Sequence, residues 1–161
     1  MTTLLFSFLI GFFAGLRSLT APATTAWAAH LGWLRLEGPL ARIGALPSVA
    51  VFTLLAVLEL VVDKLPQTPN RTAPLGLITR IVTGALTGAC VAASAGQRAL
   101  LGAMLGGAGG IIGCFAGYRA RTGLVRALGT TDFAVAAAED AIAIIGCLWV
   151  LSQVNAAAIA G

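Results

Sequence analysis

The chain is poor in charge. Only 10% of its 161 residues are Asp, Glu, Lys or Arg, against about 25% in ordinary soluble domains. Hydrophobic residues make up 58%, mean hydropathy is +0.95 and the mass is 16.3 kDa. A globule of that size has too little interior to hide so much apolar surface from water, so the solvent is lipid. Histidine is nearly absent: His30 stands alone on an Ala- and Trp-rich stretch, which leaves no paired-histidine metal motif. No Gly-x-Ser-x-Gly elbow occurs either, and nothing in the chain argues for an enzyme. The three cysteines, Cys90, Cys114 and Cys147, lie one per apolar stretch. That pattern fits neither a metal knuckle nor a full disulfide framework, and buried thiols are the simplest reading. No metal or cofactor is implied. The net charge is +4, but the ten basic residues are scattered singly between apolar stretches, which speaks against a nucleic-acid partner.

Six apolar stretches are present: 3–16, 19–34, 43–62, 78–96, 99–118 and 133–154. All read as helices, so the fold class is all-α, a polytopic membrane helix bundle forming a single domain over 1–161. Crossing the hydrocarbon takes about 20 residues. The last four stretches suffice, whereas the first two are short and either span a thinned bilayer or form a re-entrant hairpin. The N-terminus imitates a secretory leader, with Ala21-Pro22-Ala23 as a small-residue site. No positive charge precedes its apolar run, however, and it is read as retained. The longest polar interval, 63–74, carries Pro66, Pro69 and Pro74, which cannot continue a helix, and it reads as a linker between two halves.

The halves, 1–66 and 75–161, resemble each other. Ala14-Gly15-Leu16-Arg17-Ser18-Leu19 lines up with Ala95-Gly96-Gln97-Arg98-Ala99-Leu100. Leu40-Ala41-Arg42-Ile43-Gly44 lines up with Leu124-Val125-Arg126-Ala127-Leu128-Gly129, and in each half a helix bearing Glu59 or Glu139 follows. Three segments per repeat force the second repeat to be inverted relative to the first, a plan of secondary transporters. With six crossings, Arg17, Lys64, Arg71, Arg80, Arg119, Arg121 and Arg126 fall on one side and Arg35, Arg42 and Arg98 on the other. The positive-inside rule then puts the linker in the cytoplasm. Trp33 and Trp149 fall near the outer interface and Tyr118 near the inner one.

Several residue patterns carry chemistry. Gly102, Gly106 and Gly110 recur every four residues, as do Gly109, Gly113 and Gly117, with Gly11 and Gly15 and then Gly84 and Gly88 repeating the device. Such ridges let helix backbones approach closely. No strand precedes 106–110 and no Lys-Ser/Thr follows, so a phosphate loop is the weaker reading. Glu59 and Asp63 share a helix face, while Glu139 and Asp140 are adjacent; acids at membrane depth are costly and commonly functional. Because the third and sixth segments run oppositely, the two acidic clusters are expected to be offset across the membrane. Arg17 and Ser18 precede a helix start at which Thr20 is the expected N-cap and Pro22 lies in the first turn. A guanidinium beside a helix N-terminus suits an anion. The alternatives are that Arg17 snorkels to the interface or pairs with an intramolecular acid such as Glu59.

The segments 15–23, 63–66 with Thr68-Pro69 and Arg71-Thr72, and Ala138-Glu139-Asp140 resemble the small prokaryotic membrane proteins grouped as the domain of unknown function 4126 family. The resemblance covers nearly the whole chain. It implies an integral membrane protein with these motif residues as its site, and supplies no substrate. The expected function is a transporter or channel for an ion, a small anion or a lipid headgroup, located in the bacterial inner membrane and assembled as a homo-oligomer. Its pathway would use Arg17, Ser18, Thr20, Glu59, Asp63, Arg98, Glu139 and Asp140. A non-transporting scaffold or accessory subunit, packed through its glycine ridges, is the alternative.

Overall fold

A computed structural model describes residues 2–62, 74–128 and 132–160. Among these residues are six α-helices, one 3-10 helix at Gly38–Gly44 and no strand. The α-helices are α1 (Thr2–Leu16), α2 (Thr20–His30), α3 (Leu46–Val62), α4 (Pro74–Ser94), α5 (Ala99–Leu128) and α6 (Asp132–Ala160). Three of them, α4, α5 and α6, are long and apolar enough to cross a membrane, and the 3-10 helix and α3, bent by 60° to each other, are together long and apolar enough for a broken span or a re-entrant loop. α5 continues past the apolar stretch that ends at Tyr118. Arg119, Arg121 and Arg126 keep good helix propensity there, so leaving the hydrocarbon need not end the helix. At 30 residues α5 is roughly 45 Å long, more than a hydrocarbon core of about 30 Å.

Two glycines make the sharp stops. Gly32 (φ 78°) follows α2. Gly96 (φ 67°) ends α4 in a Schellman-type closure, with Gln97 N–H donating to Ala92 C=O at 2.9 Å and Gly96 N–H to Ala93 C=O at 3.0 Å.

The helix directions follow from which residues meet. Gly11 and Gly15 of α1 lie against Gly106 and Gly110 of α5, in the same order along both helices. Gly84 and Gly88 of α4 meet Gly106 and Gly102 of α5, in reverse order. Thus α1 is parallel to α5, and both are antiparallel to α4. A Cβ added at Gly84 would sit 2.6 Å from the Gly106 carbonyl oxygen, and one at Gly88 2.9 Å from the Gly106 Cα. The three helices therefore touch backbone to backbone, which only glycine allows. Gly113 likewise faces Phe12. α6 runs antiparallel to α1: Phe6 stacks edge-on with Trp149 at 6.1 Å, Phe13 lies on Gly146, and Arg17 reaches Asp140.

α2 then turns back. Ala21 and Ala28 pack in one apolar cluster with Val91, Cys147, Val150, Leu151 and Val154, the portions of α4 and α6 that flank the start of α1. α3 runs antiparallel to α2, with Glu59 beside Ser18, Thr53 beside Trp27 and Gly44 beside His30. Hence α1 and α2 form a hairpin that enters the bundle and returns to the same end. That end, here the upper one, also carries the 95–98 turn and the end of α6. The tip, residues 17–19, lies level with Arg80, 14 residues from the end of α4 or about 21 Å. The lower end holds the end of α3, the start of α4, the end of α5 and the start of α6.

The outer faces of α3 to α6 are apolar and open, with Leu54, Val61, Val82, Met104, Ile112 and Ile145 all exposed. In a membrane they meet lipid. The linker residues 63–73 lie outside the described residues.

Candidate functional site

The polar interior gathers at the hairpin tip. Arg17 is fully buried and forms an ion pair with Asp140 of α6. Glu59 of α3 reaches the other side of the turn. Its Oε1 accepts the Ser18 backbone N–H at 2.9 Å and the Ser18 hydroxyl at 2.5 Å, and its Oε2 accepts the Leu19 N–H at 2.8 Å. Arg80 of α4, also buried, donates from Nε to the Gly15 carbonyl at 3.0 Å and from Nη1 to its own Gly76 carbonyl at 3.0 Å.

These contacts have one electrostatic logic. Where α1 stops, its last carbonyls carry partial negative charge, and Arg80 meets one of them. Where α2 starts, its first amides carry partial positive charge, and Glu59 meets the two that precede the helix. A break in a helix is tolerated at membrane depth only if its freed backbone groups find partners, and side chains from α3 and α4 supply them. Glu139, next to Asp140, is buried and lies 3.8 Å from Arg121 of α5. Gly117 makes its room, since a Cβ there would come within 3.1 Å of Glu139 Oε1. Arg17, Arg80 and Arg121 thus share this region with Glu59, Glu139 and Asp140, an electrically balanced set among the described residues. Two hydroxyls on the buried side of α2, Thr20 Oγ1 and Thr25 Oγ1, have no hydrogen-bond partner among those residues. No group of three or more His, Cys, Asp and Glu among the described residues could hold a metal ion.

The tip departs from the sequence expectations in several ways. Thr20 does not cap α2. It is the first helical residue, the cap position is Leu19 without a side-chain bond, and Glu59 does the capping from another helix. The acid that pairs with Arg17 is Asp140, not Glu59. The two acidic clusters are not offset across the bundle. α3 and α6 do run oppositely, but Glu59 lies near the end of one and Glu139 near the start of the other, so opposite directions bring them to the same depth. Arg98 is exposed in the 95–98 turn at the upper end, away from the tip. Asp63 lies outside the described residues.

Neither Arg17 nor Arg80 flanks the membrane, both being interior. Among the described residues, removing them from the charge tally leaves Arg119, Arg121 and Arg126 against Arg35, Arg42 and Arg98, while Lys64 and Arg71 lie outside the described residues. Sequence reasoning treated Arg80 and Arg121 as flanking charges and missed their contacts. For Arg80 a signal existed, because it stands inside the stretch that begins at Ile78. Gly11, Gly15, Gly102, Gly106, Gly110 and Gly113 all lie where α1, α4 and α5 meet, and Gly117 faces Leu16 and Glu139.

A family model described as a domain of unknown function, DUF4126, matches residues 4–160, nearly the whole chain. No curated protein and no solved structure matches it.

Proposed function

We propose that this chain, which belongs to the DUF4126 family, is a small membrane transporter or channel whose pathway passes the tip of the α1–α2 hairpin. The observation that carries the reading is the break itself: two helix ends stop inside the bundle, where three guanidinium groups and three carboxylates gather from α3, α4, α5, α6 and the turn between α1 and α2. Interrupting a helix and burying ionisable groups both cost free energy, and broken helices whose ends face ions and solutes near the midplane recur in transporters. The solute is an ion, a small anion or a lipid headgroup. Glu59 holds the place at the α2 N-terminus that such an anionic group would take.

The inverted-repeat plan has support in the helix directions, since α4, α5 and α6 run opposite to α1, α2 and α3 respectively. The setting is the bacterial inner membrane, and a homo-oligomer supplies the wall that one small bundle lacks. A scaffold or accessory subunit is the second reading, favoured by the way the buried charges match one another.

Purified protein in liposomes tests the choice. Flux of chloride, phosphate or protons above that of empty vesicles, lost in Glu59→Gln, is the expected result. Vesicles as tight as the controls to all three, with correctly folded protein present, would replace transport by the scaffold reading.

A further inference from the structure

In the lower half of the bundle, α5 and α6 leave between them and the end of α1 a cavity of about 430 Å³. Its volume is that of a small-molecule site, for which about 300–1,000 Å³ is usual. The walls are almost wholly apolar: Phe12 and Leu16 from α1, Ala120 and Leu124 from α5, Ala138 and Ile142 from α6. The last four are exposed, so the cavity opens on the outer face of the bundle rather than into its interior. Along each of α5 and α6 the lining covers nine residues, 116–124 and 134–142, or about 12 Å of helix. That is close to the depth of one leaflet, half of about 30 Å.

Two lining residues are polar, Arg121 and Glu139, 3.8 Å apart. Arg119 and Arg126 are exposed on the same closing turns of α5. Among the residues there whose side chains are described, Glu139 is the one acid, so the rim carries net positive charge. An alkyl chain alone would have no use for that rim, whereas a phosphodiester anchored to a chain matches both parts of the cavity.

We propose that this cavity binds an anionic phospholipid of the lower leaflet, one acyl chain lying along Ala120, Ala138 and Ile142 and the phosphate resting on Arg121. The site shares Arg121 and Glu139 with the charged region of the hairpin tip but not the hairpin contacts of Arg17 and Glu59, and lipid binding does not itself require transport.

Native mass spectrometry of the purified protein, titrated in detergent with phosphatidylglycerol, phosphatidylcholine and oleic acid, tests this. One phosphatidylglycerol per chain should be retained at least 10-fold more strongly than phosphatidylcholine. Ala138→Phe fills the cavity from α6 and should abolish retention, and Ala120→Phe repeats the test from α5. Arg121→Gln should lower phosphatidylglycerol to the phosphatidylcholine level. Equal retention of the two phospholipids, preferential retention of oleic acid, or a lipid-free dimer overturns the proposal. So does undiminished retention in either well-folded Phe variant. Should neither Phe variant fold, the selectivity of the wild type decides.

Discussion

Asp140→Asn is the sharpest probe of the hairpin tip. The substitution preserves shape and removes one charge, and it leaves Arg17, which has 0% exposure, without the carboxylate it now contacts. Two unit charges about 4 Å apart attract by about 4 kcal/mol at an effective dielectric of about 20. Removing one partner of a buried pair typically costs about 3–5 kcal/mol, because the other charge stays buried. Either route predicts a loss of that size, and Arg17→Met should lose a similar amount. Replacing both partners together, with Met at Arg17 and Asn at Asp140, removes two desolvation penalties along with one attraction. The double variant should therefore be far more stable than the sum of the two losses implies. Unfolding in mixed micelles, followed by the fluorescence of Trp27, Trp33 and Trp149, reads all four proteins. Arg98→Gln, at an exposed site, is the control and should shift stability by less than about 0.5 kcal/mol. If Asp140→Asn stays within about 1 kcal/mol of wild type, or the double variant equals the sum of the singles, the pair is not an isolated buried one and the reasoning fails.

Three further outcomes follow from the same geometry. Glu59→Gln places an amide NH2 against the donors of the turn, so hydrogen exchange at the Ser18 and Leu19 amides should accelerate and stability should fall by about 1–3 kcal/mol; unchanged protection refutes the capping role. Gly106→Ala drives a Cβ onto the Gly84 backbone and should destabilise by at least about 1–3 kcal/mol, whereas Gly123→Ala meets nothing within 4 Å and should gain up to about 1 kcal/mol from helix propensity. Equal thermal shifts for the two would contradict the close packing of α1, α4 and α5. In a cysteine-free background, single cysteines at Gln97 and Thr122 should react with an impermeant reagent from opposite sides of the membrane, while one at Ser18, buried under Glu59, should react from neither; labelling at Ser18 from the lower side would restore six full crossings.

The membrane solvent and the helical class were decided by composition alone, because no other medium accepts a chain that is 58% hydrophobic and 10% charged. Helix ends were only partly read locally: the sequence left Pro74 in the linker and began the next stretch at Ile78, whereas Pro74 opens α4 and Gly96 closes it. The charged residues at the hairpin tip, Arg17, Glu59, Glu139 and Asp140, could be picked out because charge at apolar depth is conspicuous in a sequence. Their partners could not. Which acid meets Arg17 depends on the direction and depth of α3 and α6, and those follow from the glycine contacts that seat α1 between α4 and α5. The same packing turned α2 back at residue 20, gave Glu59 instead of Thr20 the place at its N-terminus by way of the Ser18 and Leu19 amides, and drew Arg80 inward to the Gly15 carbonyl. A side chain carries its charge wherever the chain goes, but a counter-charge is found only when separate helices arrive at one depth, and that is a property of the packed bundle.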